Sequence, residues 1–123
     1  MFELKILSHF AAAHQLTMVA KKCENLHGHN WKVEVCIKGD RLNDAGVVVD
    51  FGIIKGYVKE IMGRLDHKFL NELPYFNKAA PSSENLAVYI ANSLLEMIKE
   101  PGITVSHVTT WESDDACATY FLQ

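Results

Sequence analysis

Residues 2–14 alternate from end to end: Phe2, Leu4, Ile6, Ser8, Phe10, Ala12 and His14 fall on one side of an extended chain. A period of two sustained this long belongs to a β-strand and not to a helix. The three alanines at 11–13 allow close packing near the strand end. Residues 15–26 carry no periodicity and read as a loop. A second strand is expected from about His29 to Lys38, with Trp31, Val33, Val35 and Ile37 inward and Lys32, Glu34 and Lys38 outward. Cys36 interrupts that polar face and reads as a small, partly buried hydrophobe.

Gly39-Asp40 and Asn43-Asp44 mark turns. Asp50 is placed to cap a helix on which Phe51, Ile54, Val58, Ile61, Met62, Leu65 and Phe69 follow the three-and-four spacing of one apolar face. Pro81-Ser82-Ser83-Glu84-Asn85 announces a second helix, with a serine cap and an acid in the first turn. Leu86, Ile90, Leu94, Met97 and Ile98 line it, and Pro101-Gly102 ends it. Two last strands, about 103–112 and 116–122, read as a hairpin around Ser113-Asp114-Asp115. The order β-β-α-α-β-β predicts an α+β domain: a four-stranded antiparallel sheet with both helices on one face. Such a sheet leaves edges and one uncovered face, so association into a ring is physically reasonable.

The 123 residues suit one domain, residues 1–123. Hydrophobic residues at 49% and charged residues at 22% describe an ordinary globular composition rather than a disordered one. No apolar run approaches the roughly 20 residues that span a bilayer, and the N-terminus lacks the layout of a signal peptide. Cys23, Cys36 and Cys117 are odd in number and widely spaced, so free thiols in a reducing cytoplasm are expected. A net charge of −3 argues against general nucleic-acid binding.

The chemistry concentrates in Lys22-Cys23-Glu24-Asn25-Leu26-His27-Gly28-His29-Asn30-Trp31. Residues two apart on a strand point the same way, so His27 and His29 present two imidazoles at a chelating pitch. His14 ends the first strand, and antiparallel pairing would bring it beside the start of the second. Three neutral imidazoles leave a tetrahedral zinc one open position, the catalytic arrangement, unless Cys23 closes the site as a fourth ligand. Singly, each histidine reads as an ordinary residue; the His-x-His pair with a third at a strand end favours metal. Cys23 beside a cation has a lowered pKa and serves as a base or nucleophile. Cys36 and Cys117, within strands, read as buried small hydrophobes. Lys21 and Lys22 read as a solvated loop.

Asp66-His67 pairs a carboxylate with an imidazole, either as a proton relay or as polar capping of a helix end. Glu112 closes a strand after Trp111, where it could accept parallel N–H bonds from a flat heterocycle or simply face solvent. Glu84 reads most simply as a first-turn acid. His9 and His107 have no such company and read as structural.

These pieces resemble the 6-pyruvoyl-tetrahydropterin synthase and 6-carboxytetrahydropterin synthase family. The matching segments are Phe10-Ala11-Ala12-Ala13-His14, Cys23 through His27-Gly28-His29-Asn30, Val49-Asp50-Phe51, Leu65 through Asn71, Pro81 through Asn85, and Trp111-Glu112-Ser113. The resemblance implies a tunnelling fold, trimeric barrels stacked into a homohexamer, and active sites at subunit interfaces. It implies zinc, one ion per subunit, on His14, His27 and His29. It further implies proton transfer by Cys23, Asp66 and His67, a pterin anchor at Glu112, and pterin contacts from Glu84 and Ser83. Serines at 82, 83 and 113, where threonines are common, keep the hydroxyls.

The implied substrate is 7,8-dihydroneopterin triphosphate. Three residues separate Cys23 from His27, and that compact spacing looks like the bacterial 6-carboxytetrahydropterin synthase of deazaguanine and queuosine synthesis, which also releases acetaldehyde and triphosphate. The alternative is the 6-pyruvoyltetrahydropterin synthase of the biopterin pathway. Further off stand a non-catalytic zinc-binding assembly module and a zinc hydrolase, the latter leaving Cys23 without a task.

Overall fold

The computed structural model describes residues 1–16 and 26–122. The long alternation forms strand β1, Phe2–His14, and it runs antiparallel to β2, His27–Gly39. Their register is unbroken from Phe2 opposite Gly39 to His14 opposite His27. That pairing puts Ile6, Phe10, Ala12 and His14 on the same buried face as Trp31, Val33, Val35 and Ile37. Phe10 and Trp31, directly opposite each other, stack with ring centroids 5.8 Å apart.

Helix α1, Phe51–Leu65, begins where the Asp50 carboxylate accepts the Gly52 N–H at 2.8 Å. Its buried residues are Ile54, Val58, Ile61, Met62 and Leu65, whereas Phe51 stays half exposed. Helix α2, Ser83–Met97, is capped by Ser82, whose hydroxyl accepts from Asn85 N–H at 3.1 Å. It buries Leu86, Ala87, Ile90, Ala91, Ser93 and Leu94. Helix α1 packs on β1, and α2 on the last two strands. The core is therefore one layer between the helices and one face of the sheet. A fully buried isoleucine at its centre makes a direct check. Ile61→Ala is expected to cost about 2–5 kcal/mol, read as a lower urea midpoint at unchanged slope.

The sheet departs from the expected four antiparallel strands. It has five and is mixed, in the order β3 (Lys68–Phe69), β1, β2, β4 (Ile103–Ser113), β5 (Ala116–Phe121). Strand β3 is only Lys68–Phe69 and runs parallel to β1 opposite Ala12 and Ala13. Its cause lies at the end of α1. Asp66 accepts the Ala11 N–H at 2.8 Å, and the His67 N–H reaches the Ala11 carbonyl at 2.6 Å. His67 takes φ 58°, a left-handed turn that sends the chain along the β1 edge. Phe69 thus belongs to a strand and not to the helix face assigned to it from spacing. Strands β4, Ile103–Ser113, and β5, Ala116–Phe121, complete the sheet as an antiparallel hairpin.

Strand β4 carries two irregularities. Against β2, Cys36 faces His107 while Ile37 faces Val105, so Ser106 is an extra residue. Against β5, Trp111 faces Cys117 while Ser113 faces Ala116, so Glu112 is extra. Such bulges bend a strand and re-aim its side chains. Cys36 is fully buried, as expected for a packed thiol, while Cys117 is exposed, contrary to its reading as a buried hydrophobe. Among the described residues, no helix is long and apolar enough to cross a membrane.

A candidate metal centre at the end of the sheet

The hairpin register decides the site. Because His14 lies opposite His27 and Ala12 opposite His29, three imidazoles meet at the end of the buried face. His14 is fully buried there, and His27 and His29 are partly so. The His14 and His27 Nε2 atoms stand 3.1 Å apart. Neighbouring nitrogens around a tetrahedral zinc stand about 3.3 Å apart, given metal–nitrogen distances of about 2.0–2.1 Å. The cluster is already close to that spacing.

Glu112, expected from the resemblance as a pterin anchor, joins the histidines themselves as a fourth possible ligand. Its Oε1 lies 3.0 Å from His14 Nε2, 3.0 Å from His29 Nε2 and 3.9 Å from His27 Nε2. The four ligand atoms all lie within 4.8 Å of one another. The bulge at Glu112 frees it from strand pairing and turns it to the histidines. Sequence offered an aromatic-flanked acid at a strand end, with no sign of the extra residue.

The donor chemistry fits a cation. His14 Nδ1 lies 2.7 Å from the Pro81 carbonyl, which can only accept, so that nitrogen carries the proton. In the neutral ring Nε2 is then a bare lone pair facing Glu112 and His27, as a metal ligand requires. His29 Nε2 is buried without a directed hydrogen bond, although Glu112 lies close by. Burial above all lowers the pKa of His29, with His14 and His27 adding to the effect and Glu112 opposing it. Its imidazole is accordingly held neutral, the ligating form.

Backbone clamps hold this strand end. Asp66 and His67 grip both polar groups of Ala11, and the Asn71 side chain grips both those of Gln15, at 2.8 Å each. His14 sits between the two clamps. The sequence assigns Asn71 no role, although it closes the matching segment Leu65 through Asn71. On the helix side, Thr110 donates to the Ser83 carbonyl at 2.6 Å, fixing the start of α2 beside β4.

The remaining expected residues divide. Asp66 and His67 do bond directly, Nδ1 to Oδ2 at 2.8 Å, which the left-handed His67 backbone allows. The Ala11 N–H above all, then His67, holds the Asp66 carboxyl below the usual carboxylate range. The His67 ring is largely exposed and shares an open cleft of about 510 Å³ with His29, Asn30 and Lys68. Ser83 is half-buried at the first turn of α2, and Glu84 beside it is exposed. Cys23, with Lys21 and Lys22, lies outside the described residues.

A hairpin-built α+β layer ending in a three-histidine centre is a recognisable design, and comparison with known proteins gives its class. Residues 3–123 match the family model described as 6-pyruvoyl tetrahydropterin synthase. The chain belongs to that family, and with it to the tetrahydropterin synthase enzymes. It is 34% identical over 118 residues to the 6-carboxy-5,6,7,8-tetrahydropterin synthase of Synechocystis, covering 91% of this chain and 87% of that one. It is 33% identical over 120 residues to the human 6-pyruvoyl tetrahydrobiopterin synthase, covering 94% and 81%. The solved 6-pyruvoyl tetrahydropterin synthase of Caenorhabditis elegans superposes with a TM-score of 0.88 at 25% identity, covering 99% of this chain and 96% of that one.

Proposed function

We propose that the chain is a zinc-dependent 6-carboxy-5,6,7,8-tetrahydropterin synthase. It would convert 7,8-dihydroneopterin triphosphate with release of acetaldehyde and triphosphate, as a step toward queuosine-type deazapurines. The observation that carries this reading is the convergence of His14, His27, His29 and Glu112 within 4.8 Å. The compact spacing from Cys23 to His27 favours the carboxy product. The 6-pyruvoyltetrahydropterin product is the alternative, and similar relatives carry both names.

His14, His27 and His29 would hold the zinc, which supplies Lewis acidity toward the hydroxyls of the substrate side chain. Cys23 as thiolate takes a side-chain proton. Asp66 keeps the His67 ring oriented, and His67, exposed to the cleft, gives or takes a proton on the other side. Glu112 accepts N–H bonds from the pterin ring, with Ser83 and Glu84 contributing at the start of α2, so the reacting carbon stays fixed beside the histidines. Assembly into a hexamer, two trimers face to face with sites between subunits, draws support from the sheet: β5 is an open edge, and β1 is covered by β3 only at Ala12 and Ala13. The protein works in the cytoplasm in this reading.

One observation favours a second reading. Glu112 Oε1 stands where a fourth ligand would, and a closed three-histidine, one-glutamate centre would be structural. Glu112→Gln separates the two. As a pterin anchor, its loss should lower kcat/KM by about 10²–10³ through an unpaired buried contact while zinc content holds. Loss of the zinc instead would make Glu112 a ligand. The product is settled by mass spectrometry with an acetaldehyde assay on zinc-loaded protein. Carboxytetrahydropterin with acetaldehyde is expected; pyruvoyltetrahydropterin without acetaldehyde would move the chain to the other branch.

A further inference from the structure

A second cluster of ligating side chains lies on the sheet face turned away from the helices. Cys36 is fully buried yet stands apart from the helix-side core. Directly opposite it on β4 is His107, and directly opposite on β1 is Lys5, two residues from Glu3. The carboxylate, thiol and imidazole ligand atoms of Glu3, Cys36 and His107 all lie within 4.8 Å of one another. We propose that Glu3, Cys36 and His107 form a second binding site, for a divalent zinc-like cation, independent of the three-histidine centre.

Three observations carry the assignment. The donor set mixes a soft sulfur, a borderline imidazole and a hard carboxylate, the combination that suits zinc rather than magnesium or calcium. The spacing needs only a small closure. A nitrogen and an oxygen donor around a tetrahedral zinc-sized ion stand about 3.3–3.4 Å apart, and His107 Nδ1 lies 3.9 Å from Glu3 Oε2. Glu3 is half exposed, and its flexible side chain can close the difference. Third, the bulge at Ser106 is what brings His107 opposite Cys36. Val105 and Val108 are both buried in the core three residues apart, which an unbroken strand cannot arrange. The extra residue resolves that conflict by turning His107 to the far face.

The surroundings agree. The Phe121 ring lies 5.4 Å from that of His107 and screens one side of it. Ser106 Oγ, 3.1 Å from His107 Nδ1, is a hydroxyl that the ion would displace or that would turn to a water on it. Glu34 adds a second negative charge near the sulfur, against Lys5. Burial first, and then Glu34, pushes the Cys36 thiol up to about 11. Without a cation it is therefore an inert thiol; binding would release its proton to solvent and leave a thiolate on the metal. Three ligands leave one position for water.

Cobalt(II) is the probe, because thiolate ligation gives an intense near-ultraviolet charge-transfer band that histidine and carboxylate ligands do not. Full-length protein, stripped of metal with a chelator, is titrated with cobalt while bound ions per chain are counted. The proposal expects the band, and a second ion beyond that of the three-histidine centre. Both should survive Cys23→Ser, which distinguishes the two thiols, and the band should survive His27→Ala, which disables the other centre. Cys36→Ser should abolish the band and remove one ion per chain. His107→Gln, at a partly exposed strand position, should weaken this binding about tenfold or more while the fold, followed by near-ultraviolet circular dichroism, is kept; it decides the question if Cys36→Ser fails to fold. Absence of a thiolate band in wild-type protein, a band lost with Cys23 alone, or an ion count indifferent to Cys36 and His107 would overturn the proposal. Cys36 would then be a packed small hydrophobe.

Discussion

His27→Ala protein is expected to purify folded, without its zinc, and with turnover at the detection limit. His27 contributes Nε2 to a ring of donors that His14 and His29 cannot complete alone. Two imidazoles and a carboxylate would remain, but the set would lose the nitrogen that stands 3.1 Å from His14 Nε2. The fold should tolerate the change better than it tolerates His14→Ala. His27 is partly exposed at the strand end, whereas His14 is fully buried and tied to the Pro81 carbonyl. Removing His14 therefore leaves a cavity and an orphaned carbonyl beside α2, an unfolding cost as well as a functional one. Metal analysis and thermal melting of the two variants, side by side, check this: both lose zinc, and His14→Ala loses the larger share of stability. Full zinc occupancy in His27→Ala would contradict the assignment of the ligands.

The second large effect is at Cys23. Cys23→Ala should lower kcat by about 10²–10⁴, the usual contribution of a positioned acid or base, while zinc content stays at the wild-type level. Cys23 lies outside the described residues, so its case rests on its place in the sequence, four residues before His27. The alanine removes only a thiol, which makes the readout clean. Turnover lost with zinc retained identifies a base or nucleophile. Zinc lost together with turnover identifies a fourth ligand, and the centre would then be closed. Unchanged turnover would leave proton transfer to Asp66 and His67 alone.

Much of this architecture is legible in the sequence because its main signals are periodic. The alternation over residues 2–14 specifies β1 without error, and the same period fixes the inward face of β2. Once those two strands pair, His14 has to meet His27 and His29; the three-histidine cluster follows from register alone. What was hidden has no period. Strand β3 is two residues long, too short to alternate, and Phe69 also fits the helical spacing of α1. Its true place depends on Asp66 and His67 gripping Ala11, contacts between residues 55 positions apart. The bulges at Ser106 and Glu112 are likewise settled by pairing with β2 and β5. They decide where Glu112 and His107 point, which is why the sequence offers Glu112 as a pterin anchor without its approach to the three histidines, and leaves His107 as a structural residue. The one local trace was the pair Val105 and Val108, buried together at a spacing no regular strand allows.

Asp66 ties the strand end to its neighbouring histidine. Its carboxylate anchors the β1 backbone with one oxygen and orients His67 with the other. Because its folded pKa lies below the ordinary carboxylate value, the anchor is intact above the usual carboxylate range and is lost as pH falls through that depressed value. The strand end bearing His14 should hold its geometry throughout the neutral range.

The most direct measurement of the central claim is triphosphate release from 7,8-dihydroneopterin triphosphate before and after chelation. The account predicts steady release by the zinc-loaded protein, loss of release when the metal is stripped, and recovery when zinc is restored. Release that survives complete removal of the metal, or zinc-loaded protein that releases none, would contradict it.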